Sequence, residues 1–222
     1  RDEITIRRRL GGVKNIILCR DDDVPQDSSN TVLRALELMG ESGWEIEIRK
    51  SIPIQSGMGG ASSDAAALLK YFGQKKRIPL HELQRLGAQI GADVPFFLQE
   101  DNVGYYEGFG DQLVSSWRIQ PLPIAYIDTG LKISTAQAYE ELDLSECGKN
   151  SVKTEALLTL LSESKGKISA DQITPYFHND FEDTFLKEHL EWRGRGWLCG
   201  SGGWRWHYAS FSDPSLTMYK IA

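Results

Sequence analysis

The spacing of hydrophobic residues along the chain predicts a mixture of strands and helices. Strict alternation of apolar and charged residues over 44–49 predicts a half-buried strand, and Ile4-Thr5-Ile6 predicts another. Apolar residues at i, i+3, i+4 and i+7 predict a helix over 31–40. Further helices are expected from residue 65 and over 81–90, 135–142, 152–163 and 180–191, with short strands over 103–106 and 124–127. Because strands and helices do not alternate regularly, the pattern favours an α+β fold over a doubly wound sheet.

Two boundaries follow from turn residues in the same pattern. Gly91 is expected to end the helix over 81–90 as a C′ residue. Pro121 and Pro123 precede a new strand, so we place a domain boundary near them. A division at this boundary gives residues 1–120 and 121–222.

A glycine-rich run links the strand over 44–49 to the helix that follows it. Residues 52–67 read IPIQSGMGGASSDAAA, which is a strand end, a loop and a helix start. Glycines let the backbone approach an anion closely, and the free N–H groups of a helix start attract negative charge. The run therefore predicts a phosphate site. The alternative is a glycine-rich turn in which Ser62 or Ser63 caps an ordinary helix.

Two known phosphate-binding loops do not fit this run. No lysine follows the last glycine, Gly60, as a Walker loop requires. Gly57, Gly59 and Gly60 do not have the G-x-G-x-x-G spacing of a dinucleotide fingerprint.

The run instead resembles the phosphate-binding motif of the GHMP kinases, with Met58 where leucine is usual. A second run, Gly91-Ala92-Asp93-Val94-Pro95, resembles the signature of the 4-diphosphocytidyl-2-C-methyl-D-erythritol kinase family. The likeness extends from about Asp2 to Gly202. Shorter segments support it in the same order: 30–35, 107–111 and 179–182.

The resemblance implies a two-lobed α+β fold, with a ribosomal-protein-S5-like N-terminal lobe and a ferredoxin-like C-terminal lobe. It implies ATP and Mg²⁺ as cofactors, and Ser63 as a residue near the metal. Lys50 and Asn30 match positions near the adenine, although a surface lysine and a helix N-cap explain them equally well. The residues implied to bind ATP are Asn30, Lys50, Pro53, Gln55, Ser56, Gly57, Met58, Gly59, Gly60, Ala61, Ser62 and Ser63.

Asp93 is the candidate catalytic residue, because the matching aspartate of the family lies beside the hydroxyl that is phosphorylated. It would act as a general base or orient the alcohol. The alternative role is to cap a short helix begun by Val94 and Pro95. By resemblance, Tyr139 would stack on the cytosine of the substrate and Thr135 would bind near it. Tyr139 is otherwise a core aromatic of a helix.

Both ends of the sequence depart from the family's pattern. The family carries a Pro-Ala-Lys-Leu-Asn strand and an Asp-Gly-Tyr/Phe-His turn before the point that Arg1 matches, and neither occurs here. Its lysine and cytosine-binding histidine therefore have no counterpart in this numbering. Gly200-Ser201-Gly202 matches a third glycine motif, but the bulky residues over 204–208 replace the expected small and aliphatic ones.

Composition narrows the class of partner. The net charge is −6, and no apolar run approaches the ~20 residues of a membrane span. We therefore expect no nucleic acid and no membrane as partners. The resemblance implies small-molecule partners, ATP and a cytidyl-linked sugar alcohol, and we expect a monomer or a homodimer. Three scattered cysteines show neither zinc spacing nor a disulfide framework, which fits a reducing compartment. With the resemblance, the expected compartment is a bacterial cytoplasm or a plastid stroma.

The resemblance implies ATP-dependent phosphorylation of the 2-hydroxyl of 4-diphosphocytidyl-2-C-methyl-D-erythritol as the function. This reaction belongs to non-mevalonate isoprenoid precursor biosynthesis. The alternatives are another GHMP kinase, of homoserine or mevalonate type, and a nucleotide-binding protein that has lost catalysis.

Overall fold

The computed structural model describes residues 1–11, 14–54, 56–122, 124–128, 131, 135–194, 196–200 and 204–208; for 124–128, 135 and 204–208 it describes the backbone. The chain forms two compact units. The first comprises residues 1–54 and 59–116, and the second comprises 55–58 and 117–222. The predicted division at 120/121 into two functional domains stays a prediction.

The first unit is built on a three-stranded sheet with the strand order β1-β3-β2. Strand β1 is Glu3–Arg8, β2 is Ile16–Cys19 and β3 is Trp44–Arg49. Strand β3 lies in the middle, antiparallel to β1 with Ile6 opposite Ile46 and parallel to β2. Its alternating pattern turns Ile46 and Ile48 inward, and both are almost fully buried.

Four helices and a hairpin complete the first unit. The helices are α1 (Thr31–Leu38), α2 (Gly60–Lys76), α3 (Leu80–Ala88) and α4 (Val94–Leu98), and the hairpin strands are β4 (Val103–Glu107) and β5 (Gln112–Trp117). Helix α2 contacts α1, α3 and α4, so it is the central helix of the unit. The apolar core includes Val32, Leu36, Ile46, Leu69, Val94 and Leu98.

The second unit combines a small sheet with short helices. Its helices are α5 (Thr135–Glu140), α6 (Ser151–Glu163), α7 (Ala170–Ile173) and α8 (Phe181–Glu188), with 3₁₀ turns at Thr174–Tyr176 and Leu190–Trp192. Strands β6 (Ile124–Asp128), β8 (Trp204–Tyr208) and β7 (Trp197–Leu198) pair antiparallel in that order. In the described part of the chain, no helix combines the length and the apolarity needed to cross a membrane.

The mixed order of elements confirms the α+β expectation. One predicted detail is wrong: Gly91 does not adopt a left-handed C′ conformation, because the glycines with positive φ do not include it. Helix α3 ends two residues earlier, and the N–H of Gly91 still donates to the carbonyl of Gly87 at 3.1 Å. The helix predicted over 180–191 likewise ends at Glu188 and continues as a 3₁₀ turn.

Candidate functional site

The start of helix α2 has the geometry of an anion site. Gly59 is its N-cap with a left-handed φ of 67° and makes no side-chain cap. The alternative of a serine cap is therefore wrong, since Ser62 and Ser63 lie inside the first turns and the hydroxyl of Ser63 donates to the carbonyl of Gly60 at 2.8 Å. The leading N–H groups of a helix lack intrahelical acceptors and carry its positive dipole end. An anion at this end would accept hydrogen bonds from the free N–H groups and be attracted by the positive end of the helix dipole.

Close packing fixes the glycines at this helix start. A Cβ on Gly59 would lie 2.7 Å from the ring of Phe97, and a Cβ on Gly60 would lie 3.0 Å from a methyl of Ile52. Phe97 belongs to α4, which begins directly after Asp93. The second sequence motif is thus packed against the first within the same unit.

Asp93 stands at the exposed end of that second motif. Val94, Pro95 and Leu98 bury their side chains, whereas Asp93 is exposed and makes no side-chain cap to α4. The alternative role of helix cap is therefore wrong. The carboxylate is left accessible at the start of a helix whose residues Val94, Pro95 and Leu98 are buried.

Lys50 lies in a buried ion cluster rather than on the surface. Its ammonium contacts a carboxylate oxygen of Asp2 and lies 3.0 Å from one of Asp64, with side-chain exposures of 10%, 1% and 7% for the three residues. The second oxygen of Asp2 accepts the N–H groups of Ser51 and Ile52 at 2.6 and 2.8 Å. The cluster therefore ties Asp2, directly before β1, to the segment that leads into the glycine loop.

The charges in this cluster are unequal. Burial raises the pKa of Asp64 to about 6, because the field of Lys50 does not offset its desolvation. Burial also opposes charge on Asp2, but the backbone N–H of Ile52 and the ammonium of Lys50 hold the pKa of Asp2 below its ordinary value. The two carboxylates together raise the pKa of Lys50 against the effect of burial. Lys50 and Asp2 thus form the firmly charged pair, and Asp64 is the titrating member.

Asn30 is the N-cap of α1, as one of its two expected roles required. Its side-chain oxygen accepts the N–H of Val32 at 2.8 Å, and its amide nitrogen donates to the carbonyl of Pro25 at 2.6 Å. The side chain is buried. A contact of Asn30 or Lys50 with adenine stays a prediction.

Residues 55–58 of the glycine loop belong to the second unit. Ser56 is buried, and its hydroxyl accepts the N–H of Met58 at 3.4 Å. Gly57 has a φ of 74°, and a Cβ there would lie 2.1 Å from the carbonyl oxygen of Cys199. Only glycine fits this position, because both the dihedral and the neighbouring backbone exclude a side chain. Among the other predicted loop residues, Pro53 is half-buried and Gln55 lies outside the described residues. The carbonyl oxygen of Ala61 accepts a hydrogen bond from the Thr31 hydroxyl at 2.9 Å.

Tyr139 presents its ring on the surface of the second unit. It is 62% exposed and contacts Phe181 edge-to-face, with ring centroids 5.0 Å apart. The alternative that it is a core aromatic is therefore wrong. Next to it, Ala138, Phe181 and Phe185 help line a cavity of about 170 Å³. Thr135 begins α5, and its side chain lies outside the described residues.

Sequence reasoning missed four residues that organise these sites. They are Asp2 and Asp64 around Lys50, and Asn179 and Glu182, which bind the backbone of 198–200. Asp64 lies inside the glycine motif, and the sequence signal that could have revealed it is a charged residue directly before the apolar residues Ala65 and Ala66. Asn179 and Glu182 lie in a segment noted only for its family likeness. Asp2 gave no signal, because its partners are 48 to 50 residues away.

Among the residues that the structure describes, no group of three or more His, Cys, Asp or Glu side chains is arranged to hold a metal ion. The hydroxyl of Ser63 is the oxygen that the sequence assigned to Mg²⁺. It uses its proton on Gly60, which leaves its lone pairs available. One hydroxyl fits a cation held chiefly by nucleotide phosphates, which is how Mg²⁺ is usually bound.

Comparison with known proteins finds similarity in both sequence and structure. Residues 30–101 match the family model of the GHMP kinases N terminal domain. A 4-diphosphocytidyl-2-C-methyl-D-erythritol kinase from Prosthecochloris aestuarii is 32% identical over 211 residues, covering 91% of this chain and 71% of the relative. One from Thermotoga petrophila is 32% identical over 176 residues, covering 77% of this chain. This chain spans 63% of the length of that Thermotoga relative.

A solved structure agrees with the fold. The crystal structure of a 4-(cytidine 5'-diphospho)-2C-methyl-D-erythritol kinase superposes with a TM-score of 0.68 at 25% identity. The match covers 94% of this chain and 77% of that one.

Proposed function

This chain belongs to the 4-diphosphocytidyl-2-C-methyl-D-erythritol kinase family of GHMP kinases, and on that premise we propose that it phosphorylates the 2-hydroxyl of 4-diphosphocytidyl-2-C-methyl-D-erythritol with ATP. The reaction belongs to non-mevalonate isoprenoid precursor biosynthesis. Relatives of this name and the two long sequence motifs support the proposal.

One observation carries the assignment of roles. Gly59 at the start of α2 is packed under Phe97, four residues after Asp93, so the start of this helix and an accessible carboxylate lie on neighbouring, packed elements of the first unit. Phosphoryl transfer requires mainly positioning and charge stabilisation. In our proposal the N–H groups of Gly60, Ala61 and Ser62 bind the phosphates of ATP.

The chemical step then needs one carboxylate. Asp93 accepts the proton of the substrate hydroxyl, the alcohol oxygen bonds to the γ-phosphorus, and the bond to the β-phosphate oxygen breaks to release ADP. The helix N–H groups and dipole stabilise the charge that develops on the phosphates. Mg²⁺ bound to ATP would neutralise part of that charge, with Ser63 as its protein ligand.

The second unit supplies the rest of the proposed substrate recognition. An exposed aromatic ring such as that of Tyr139 is suited to stacking on a pyrimidine. Thr135 would bind the same base or its ribose. We also propose the finer fold description, a ribosomal-protein-S5-like first lobe and a ferredoxin-like second lobe; the three-stranded antiparallel sheet of the second unit supports the latter.

Small molecules are the proposed partners, without nucleic acid or membrane, and the net charge of −6 supports this. The proposed states are a monomer or a homodimer, in a bacterial cytoplasm or a plastid stroma. Light scattering of the purified protein measures the oligomeric state directly.

A substrate panel tests the function. ADP release by the full-length protein is followed with the diphosphocytidyl substrate, homoserine and mevalonate, each at equal concentration. Turnover that requires the diphosphocytidyl substrate supports the proposal. Turnover with homoserine or mevalonate instead would assign another GHMP kinase, and ATP binding without any turnover would indicate a nucleotide binder that has lost catalysis.

A further inference from the structure

Asn179 makes a three-way connection in the second unit. Its side-chain oxygen accepts the N–H of Phe181 at 3.0 Å, which starts helix α8. Its amide nitrogen donates to two carbonyl oxygens, that of Leu198 at 2.9 Å and that of Gly200 at 2.7 Å. One amide group thus binds the backbone on both sides of Cys199.

Glu182 holds the same segment from the next turn of the chain. Its carboxylate accepts the N–H of Leu198 at 2.8 Å. Leu198 therefore has both its N–H and its carbonyl bound by the start of α8. The turn over 198–200 is fixed by side chains and not by its own strand pairing alone, since β7 is only two residues long.

The segment held in this way lies directly against Gly57 of the glycine loop. A Cβ on Gly57 would lie 2.1 Å from the carbonyl oxygen of Cys199 and 3.2 Å from the N–H nitrogen of Gly200. A Cβ on Gly200, whose φ is 57°, would lie 3.4 Å from the Cα of Gly57. The two glycines are thus in backbone-to-backbone contact, and the position of one constrains the other.

We propose that Asn179 and Glu182 are positioning residues for nucleotide binding: they hold the Cys199–Gly200 backbone as a support for Gly57 and thereby set the affinity for the ATP phosphates. Neither side chain touches the nucleotide in this account. Loop glycines move freely unless neighbouring backbone restrains them. Without this support the loop would lose conformational entropy when ATP binds, and this loss would weaken binding. This inference rests on the proposed function only in taking ATP as the ligand.

Asn179→Asp isolates the two donated hydrogen bonds. The variant keeps an oxygen to accept the N–H of Phe181, but it places a carboxylate oxygen against the carbonyls of Leu198 and Gly200. We expect a rise of about tenfold in Kd for ATP, the order expected for losing one to two hydrogen bonds. The KM for the alcohol substrate stays unchanged.

Glu182 provides a second, graded variant pair. Glu182→Gln retains an oxygen that accepts the N–H of Leu198 and is expected to keep the affinity for ATP within about twofold, whereas Glu182→Ala weakens it severalfold. Asp183→Asn is the matched control, because Asp183 is exposed on the same helix and the substitution also removes one negative charge.

The experiment measures calorimetric Kd for ATP, KM for both substrates and the thermal midpoint of each variant. Weaker ATP binding by Asn179→Asp and Glu182→Ala, with Glu182→Gln and Asp183→Asn close to wild type, supports the proposal. A lowered thermal midpoint with an unchanged Kd would reduce both residues to a structural role and overturn it.

The proposed function fails separately. If the wild type binds ATP without turnover of the diphosphocytidyl substrate, the kinase assignment is wrong, and the Kd comparison still decides the positioning role. If the wild type does not bind ATP, both are overturned.

Discussion

Replacing Gly57 by alanine tests the close approach of the glycine loop to residue 199. The added methyl would lie 2.1 Å from the carbonyl oxygen of Cys199, where real contacts are not shorter than 3.0 Å. The two backbones must therefore separate by about 1 Å, because neither atom is the end of a flexible side chain. A displacement of this size at a positioning element costs on the order of 10²-fold in rate.

The expected result is a fall in kcat/KM for ATP of about 10²-fold, equivalent to about 3 kcal/mol of transition-state stabilisation. Steady-state assays of ADP release by the full-length protein, with ATP varied at saturating alcohol substrate, measure it. Calorimetric ATP binding identifies how much of the loss lies in the ground state.

Gly148→Ala is the matched control. Gly148 also has a positive φ, of 76°, but nothing lies within 4 Å of its added Cβ. Both variants therefore bear the left-handed backbone cost of about 1–2 kcal/mol in stability, and only Gly57→Ala bears the collision. Equal kcat/KM in the two variants would refute the reasoning.

Three further predictions concern the substrate ring and the ion cluster. Tyr139→Ala should raise KM for the diphosphocytidyl substrate about 10–100-fold with an unchanged thermal midpoint, because the exposed ring contributes to stacking and not to the core. The control Tyr139→Phe should have a KM near that of the wild type. A shift in the thermal midpoint without a change in KM would contradict the assignment. Lys50→Met should lower the free energy of unfolding measured in urea by about 3–5 kcal/mol at pH 8, because the substitution leaves the buried carboxylates of Asp2 and Asp64 without their cation. A decrease of less than about 1 kcal/mol would show that the cluster is not buried. Burial raises the pKa of Asp64 from 3.8 to about 6, so its contribution to stability is full below pH 4 and is lost as the pH rises through 6. The free energy of unfolding of the wild type relative to Asp64→Asn should therefore fall by up to about 3 kcal/mol between pH 4 and pH 6. A difference between the two proteins that does not change with pH would contradict the pKa assignment.

Local sequence patterns predicted much of the secondary structure of the first unit. The alternation in Trp44–Arg49 predicted β3 at its observed bounds, because one face of that strand packs on the core and the other meets solvent. The glycine loop was recognisable in the sequence because its positive φ angles and close contacts allow only glycine at Gly57 and Gly59.

Long-range contacts explain what the sequence did not reveal. The buried ion cluster depends on Asp2 meeting Lys50 across 48 residues, and the support at Gly57 depends on Cys199, more than 140 residues later. Strand Trp204–Tyr208 also ran against expectation: its bulky residues departed from the family's pattern, yet its backbone pairs with Ile124–Asp128 along its whole length. Neither periodicity nor a local motif encodes such pairings.

The claim that Asp93 is the base of a diphosphocytidyl sugar alcohol kinase is tested most directly by product formation. The full-length wild type and Asp93→Asn are incubated with ATP and the diphosphocytidyl substrate, and the phosphorylated alcohol is quantified by mass spectrometry. We expect product from the wild type and about 10²–10⁴-fold less from Asp93→Asn, with ATP affinity and thermal midpoint unchanged because the carboxylate is exposed and caps nothing. Equal product from both proteins would contradict the role of Asp93, and no product from either would contradict the activity itself.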